Sequence, residues 1–349
     1  LPVDDRVGSV AVPWDYDQVG DLDLFVGTRV KQSSFPQSAS SLLLSNDGEG
    51  NFTLLNDPFL EKIGRITDAV VEDFDGDLVK ELFIIGDWNI PKVIKFEQNQ
   101  LVDYTSSFFS EFLYGWWNVI KAHDLDQDGD LDIILGNWGI NNQFKPNQNE
   151  PMQLFSADFD NNGYIDPIWC YYIEGKSYPF ALRDELTDQI VGLRKKYVSY
   201  ASYADEKIED ILTENQISKA EIYTTNFMET TWFENQNGKF IRRSLPIEAS
   251  ISSVHAIQVN DFDLDGIQDI FLGGNTPFDR VRIGKRQASF GVFLKGDTSG
   301  NFTYIPNKDT GLSVKGSIRA LELVQTKEGK KLVVGLNNDH PLLITIENE

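Results

Sequence analysis

The chain's 349 residues carry 31 Lys and Arg against 54 Asp and Glu, a formal net charge of −23 at pH 7. That balance argues against nucleic acid or an anionic membrane surface as partner, since both demand a basic footprint. A single cysteine, Cys170, excludes an intrachain disulfide framework and reads as a small buried apolar residue, and no run of about eighteen apolar residues is available to span a membrane.

Taken in chain order, the acids recur in one phrase. The first copy, DYDQVGDLDLFVG, holds Asp15, Asp17, Asp21 and Asp23 but has Val19 at position 5, so this turn either holds an ion weakly or stays empty. Residues 28–41 are polar and Pro-interrupted, a loop leading into SLLLSNDGEGNFT, which is written as a hairpin. The second copy offers Asp73, Asp75, Asp77, the Val79 carbonyl and Glu81, with Leu78 where Gly is expected, which predicts a shifted bend. The third, HDLDQDGDLDIILG, is intact: Asp124, Asp126, Asp128 and Asp132 at positions 1, 3, 5 and 9, Gly129 at the turn and the Asp130 carbonyl at position 7.

Asp158 follows Asp124 by only 34 residues, which predicts short or irregular outer strands here, with NNQFKPNQNEP from Asn141 as the irregular part. The fourth copy supplies Asp158, Asp160, Asn162, Asp166 and the Tyr164 carbonyl. Then 103 residues pass before Asp261, and LRDELTDQIVGLRKKY and DEKIEDILTENQISKA place apolar residues three and four apart. That spacing predicts a helical insertion over about 179–220, a partner contact or a decoration filling a gap. The fifth copy restores Asp261, Asp263, Asp265, the Ile267 carbonyl and Asp269; a sixth, KLVVG from Lys331, keeps the strand without the acids.

Alternating carboxylates on a tight turn suit Ca²⁺, a hard ion that takes six to eight oxygens. An EF-hand is rejected because position 12 is apolar in every copy (Val26, Ile84, Leu135, Trp169, Leu272) where that motif needs Glu. The reading is structural calcium at three to five sites. Five ions bring the net charge to about −13. An ion already neutralised by four carboxylates is poorly suited to Lewis-acid work. Calcium-turn strands plus outer hairpins make four-stranded antiparallel sheets, which bury both faces only by stacking around an axis. The expected fold is therefore all-β, a single propeller domain of six or seven four-stranded blades over 1–349 with a helical insertion in one blade.

These DxDxDGxxD turns with LFVG-type strands, and the NxGxGxF hairpins, resemble the FG-GAP or VCBS-repeat propellers, the class that includes integrin α-chains and cartilage-acidic-protein-like proteins. More narrowly, GWWN at Gly115, the turn from Gly136 to Ile140, YPFALRDEL from Tyr178, SYASYAD from Ser199 and VKGSIRAL from Val314 are similar to the C-terminal propeller of large surface proteins of Bacteroidetes-type bacteria. The resemblance implies a non-catalytic protein-interaction or scaffold module, outside the cell or on the bacterial outer-membrane surface, with other surface or outer-membrane proteins as partners. With no Met start and no signal-peptide pattern, the sequence is expected to begin inside a longer precursor.

The turns after each second strand read GTRV, GDWNI, GNWGI, GGNTP and GLNND. Trp88, Asn89, Asn137, Trp138 and Asn275 there are either a glycan-binding surface or indoles wedged between blades with their neighbouring amides. A polysaccharide hydrolase or lyase is the third reading; His123 and His255 flank acidic turns, but spacing assigns neither a nucleophile. The Asn-Phe-Thr sequons at Asn51 and Asn301 read as closing strands of hairpins.

Overall fold

The computed structural model describes residues 6–277, 280–327 and 329–346. Short β-branched and aliphatic runs punctuated by Gly, Asn and Asp become strands. In the first sheet β1 (Gly8–Trp14), β2 (Asp23–Thr28), β3 (Leu42–Asn46) and β4 (Phe52–Leu55) pair in sequence order, all antiparallel. The second repeats the plan with β5 (Ile66–Glu72), β6 (Glu81–Asn89), β7 (Lys92–Glu97) and β8 (Gln100–Asp103), and β9 (Gly115–Trp116) adds to the far end of β6.

The chain then nests one sheet inside another. Strands β10 (Val119–His123) and β11 (Asp132–Gly136) form the inner half of the third sheet. Before its outer half appears, β12 (Met152–Ala157), β13 (Asp166–Ile173), β14 (Lys176–Pro179) and β15 (Glu221–Thr225) build a separate sheet in the order β14-β13-β12-β15. Only afterwards do β16 (Thr231–Asn235) and β17 (Phe240–Arg243) complete the third sheet, Ile133 pairing with Phe233. The expected short outer strands after Asp124 are thus corrected: the spacing to Asp158 is small because the fourth repeat interrupts the third, and the hairpin WFENQNGKF belongs to the third. A fifth sheet follows with β18 (Val254–Asn260), β19 (Asp269–Gly274), β20 (Val292–Gly296) and β21 (Phe302–Ile305), then a three-stranded sheet of β22 (Ile318–Thr326), β23 (Gly329–Leu336) and β24 (Leu342–Thr345).

Six sheets are described, the lower of the two expected counts, but five rather than six or seven of them radiate from one axis. The fourth repeat builds its sheet outside the circle, and the last sheet has three described strands. Strands β1, β5, β10, β18 and β22 lie side by side in that order, and their leading ends border a common cavity. The β12–β15 sheet lies outside this circle, with β15 against β6. Two devices let the blades approach. Gly27 faces Ile66 of the next blade and Gly273 faces Ile318; an added Cβ would sit 2.7 Å and 2.5 Å from the isoleucine Cγ2 atoms, too close for any side chain. The bulged residues Ser9 and Thr67 reach across, Ser9 Oγ donating to Ile66 O (2.6 Å) and Thr67 Oγ1 to Trp117 O (2.8 Å).

In the second turn the residue between the first two acids points inward and fills the gap between the second and third sheets. Phe74, 2 % exposed, meets Phe83 and Phe240 edge-on at 5.7 and 5.6 Å. Burying such a ring is worth about 1.5–3 kcal/mol. The helical insertion is present as Arg183–Gln189, Ile208–Ile211 and Glu214–Lys219 with a 3₁₀ turn over Val191–Lys195. Its Leu186, Ile190, Ile208 and Ile211 pack on Phe155, Ile168 and the buried Cys170, so it covers one face of the nested sheet.

Candidate functional site

Each acidic turn joins the first two strands of a repeat with the same backbone. Positions 4 and 6 are left-handed in every copy: Gln18 and Gly20, Gly76 and Leu78, Gln127 and Gly129, Asn161 and Gly163, Leu264 and Gly266. Leu78 therefore does not shift the bend, as its lack of glycine suggested; it adopts φ 71° and bears the strain. The bend turns the position-6 amide onto the position-1 carboxylate, as in Leu78 N to Asp73 Oδ2 (2.9 Å), Gly129 N to Asp124 Oδ2 (3.1 Å), Gly163 N to Asp158 Oδ2 (2.8 Å) and Gly266 N to Asp261 Oδ2 (2.9 Å). The position-7 amides of Val79, Asp130, Tyr164 and Ile267 donate to the side chains of Asp77, Asp128, Asn162 and Asp265.

Carboxylate oxygens converge as a result. Those of Asp73, Asp75, Asp77 and Glu81 lie within 4.8 Å of one another, as do those of Asp15, Asp17 and Asp23, of Asp124, Asp126 and Asp132, of Asp158, Asp160 and Asp166, and of Asp261, Asp263 and Asp265. Asp21, Asp128, Asp130 and Asp269 are not in these groups. The position-9 acid doubles as a structural pin: buried Asp132 accepts from Leu125 N (2.9 Å) and Asn235 N (2.8 Å). Asp269 accepts from Phe262 N (3.1 Å) and Gly296 N (3.0 Å) in the same way. Burial, reinforced by neighbouring acids, pushes Asp132 up to about 7 and Asp269 up to about 6. Asp15 Oδ1, Asp21 Oδ1, Asp124 Oδ1 and Asp160 Oδ1 are buried without a hydrogen-bond partner, so the residues fit a bound cation.

Two turns contain their own cation. Lys95 on β7 directs Nζ to Asp75 (2.7 Å), Asp77 (2.8 Å) and Glu81 (3.0 Å), and Lys295 at the matching register of β20 pairs with Asp263 and with Asp265 (2.9 Å). In the third turn Glu234 holds that register position, paired with Arg243 (2.6 Å).

At the other end of the inner strands lies the axial cavity, about 790 Å³. Its wall includes one residue from the start of each radiating sheet, Ser9, Thr67, Asn118, His255 and Arg319. Four of these sit where the strand pairing slips, which turns them toward the axis. Arg29, Arg280 and Arg286 join them, with Trp116, Trp138 and Trp169, and no described Asp or Glu lines the cavity. Arg286 donates to Trp138 O (3.2 Å) and lies over that indole at 4.2 Å. Arg29 and buried Arg65 share the buried Asp87, whose nearest oxygen is 3.2 and 2.7 Å from them. His255 Nε2 is 3.0 Å from Thr276 Oγ1; burial and the charges of Arg319, Arg286 and Arg29 push it down to about 3.

The rim residues singled out in the sequence part ways here. Trp88 is 6 % exposed and Trp138 5 %, both packed with Phe144, Met152 and Phe180 between the ring and the nested sheet, though Trp138 also borders the axial cavity. Asn137 spends its amide on Trp116 N, Trp138 N, Phe227 O and Glu229 O. Asn275 likewise serves Ser252, Ser289 and Gly316. Asn89 donates to Ile63 O and accepts from Ile90 N. These amides hold the loops in place, while Arg280, Arg286 and Arg319, which join Arg29 of the GTRV turn at the cavity, are what sequence spacing missed.

Radiating antiparallel sheets with acidic turns at one end and a central cavity at the other define a β-propeller. No family model and no curated protein matches the chain. Among solved structures, the one titled "Structure of Dos1 propeller" aligns over 98 % of this chain and 78 % of its own at 10 % identity and a TM-score of 0.29. A likeness that low carries no weight for the architecture, which the sheet order itself defines. Among the described residues no helix is long and apolar enough to cross a membrane.

Proposed function

We propose that the chain is a calcium-stabilised propeller of the FG-GAP/VCBS type that acts without catalysis as a protein-interaction or scaffold module on the bacterial cell surface, in an outer-membrane-associated assembly. The observation that carries the calcium reading is the set of buried, unpartnered carboxylate oxygens on Asp15, Asp21, Asp124 and Asp160, all in the acidic turns. A buried carboxylate without partner is costly, and a divalent ion at extracellular concentration removes that cost. The interaction reading is supported by the helical insertion, where Leu182, Val191, Val198 and Tyr200 are 46, 54, 75 and 56 % exposed on an otherwise charged surface.

Two measurements test it. Calorimetric titration with Ca²⁺ is expected to give three to five sites, and no binding would remove the calcium half. Cross-linking in intact bacteria, followed by mass spectrometry, is expected to capture an outer-membrane protein that is lost when Val198 and Tyr200 are replaced by Glu. Capture indifferent to both changes would refute the insertion as the contact.

A further inference from the structure

We propose that the axial cavity binds a carboxylate-bearing sugar, of the hexuronate class. This goes beyond the scaffold role and does not depend on the metal turns. The first ground is charge: in a chain where acids outnumber bases 54 to 31, this wall carries four arginines, of which Arg29 shares the buried Asp87 behind it with Arg65, and no described carboxylate lines it. The acidic turns do not cancel them. Ser9 precedes Asp15 by six residues of mostly extended chain, about 20 Å, well beyond the Debye length of about 8 Å at physiological salt.

The second ground is the polarity of the unspent groups. Asn118 Nδ2 and Trp169 Nε1 are buried on residues lining the cavity and have no hydrogen-bond partner. Arg319 spends Nη1 on Asn275 O (3.0 Å) and Ile318 O (2.9 Å), and among the described residues no carboxylate pairs with it. All of these are donors, so the complementary ligand is rich in acceptors and anionic, and a guanidinium fork matches a carboxylate.

The third ground is shape. Trp116 meets Trp138 at 63° and Trp169 at 88°, and Trp138 meets Trp169 at 40°. A planar nucleobase is held best on a free, flat aromatic face, and the Trp138 indole already carries Arg286 at 4.2 Å; a puckered pyranose ring, with C–H faces and hydroxyl edges, is served by the steeply angled walls of Trp116 and Trp169. The volume of about 790 Å³ lies within the usual range for small-molecule sites and admits two or three sugar rings.

Calorimetry and tryptophan fluorescence on the full chain, with trigalacturonate, uncharged galactotriose and AMP as probes, decide the matter. The expected result is saturable binding of trigalacturonate, at least tenfold tighter than galactotriose and AMP, weakening as salt is raised. Arg319→Gln is expected to cost tenfold or more, Arg319→Lys less, and Trp169→Phe several-fold, each at unchanged melting temperature. Should Arg319→Gln fail to fold, Arg319→Lys and Trp169→Phe still carry the comparison. Equal affinity for the neutral sugar, tighter binding of AMP, no saturable binding, or variants that bind like the parent would each overturn the assignment.

Discussion

The ammonium of Lys95 lies 3.0 Å from the fully buried carboxylate of Glu81, and so stands inside the second acidic turn where a metal ion would otherwise be drawn. Its other contacts, Asp75 and Asp77, are partly exposed, so the Glu81 pair bears most of the energetic weight. Burial still holds the Glu81 carboxyl above its ordinary range despite the hydrogen bond from Phe74 N and the charge of Lys95. Lys95→Met is expected to cost about 3 kcal/mol in chelator, because it strands a buried charge. In millimolar calcium most of that loss should return, since four carboxylates then share a divalent ion. Urea melts under both conditions check it; equal losses would mean that this turn takes no metal.

Turns without an internal ammonium should depend most on calcium. Asp124 and Asp261 occupy the same position in the third and fifth turns, yet only the fifth has a lysine, Lys295, against its acids. Ligand binding to the folded state adds about 2.7 kcal/mol at one hundred times Kd. Asp124→Asn, which keeps an acceptor for Gly129 N, is therefore expected to remove more of the calcium-induced rise in Tm than Asp261→Asn. Thermal scans with calcium and with chelator measure both differences.

Leu78 offers a simpler check on turn geometry. It is 91 % exposed and held at φ 71°, a conformation that costs a side-chain-bearing residue about 1–2 kcal/mol. Leu78→Gly should stabilise the protein by about 1 kcal/mol, read from urea midpoints at constant m, after glycine's added unfolded-state entropy is set against the relieved strain.

The acidic turns, hairpins and helical insertion were legible because each is local: carboxylate spacing, a Gly-Asn turn and a three-four periodicity all fall within some fifteen residues. The nesting was not, because Ile133 and Phe233 become partners across a whole intervening sheet, and nothing in either strand names its neighbour. Nor was the cationic cavity, whose Arg29, Arg286 and Arg319 come from distant segments. A faint signal existed. Ser9, Thr67, Asn118 and His255 each stand six residues ahead of a turn's first aspartate, a column that marks the axis once the blades are known to radiate.

Asp87 anchors one edge of that cavity. Burial alone would raise its carboxyl; the guanidiniums of Arg65 and Arg29 more than offset this and hold it below its ordinary range. A depressed carboxylate contributes stability above its unfolded pKa of about 4, and that contribution is lost only as pH falls through the lower folded value. Asp87→Asn should strand Arg65, itself 4 % exposed, at a cost of about 3 kcal/mol or more near pH 7. The gap between the two proteins should narrow in acid, and denaturant melts from pH 7 to pH 3 test that trend.

His255 works in the opposite chemical sense with the same direction of pH dependence. Facing it are Thr276, which shares its hydrogen bond, and the charges of Arg319, Arg286 and Arg29, and burial among them lowers its pKa from 6.5 to about 3. The folded protein thus keeps it neutral while the unfolded chain takes up a proton below pH 6.5. Stability from the neutral ring is fully present above 6.5 and is lost progressively as pH falls toward 3. His255→Gln retains a polar partner for Thr276 Oγ1 and cannot titrate, so its melting temperature should gain on the parent's as pH drops from 7 to 4.5. An imidazole NMR titration of the folded parent should show no His255 midpoint above pH 5; a midpoint near 6.5 would mean the arginines do not face the ring as the structure has them.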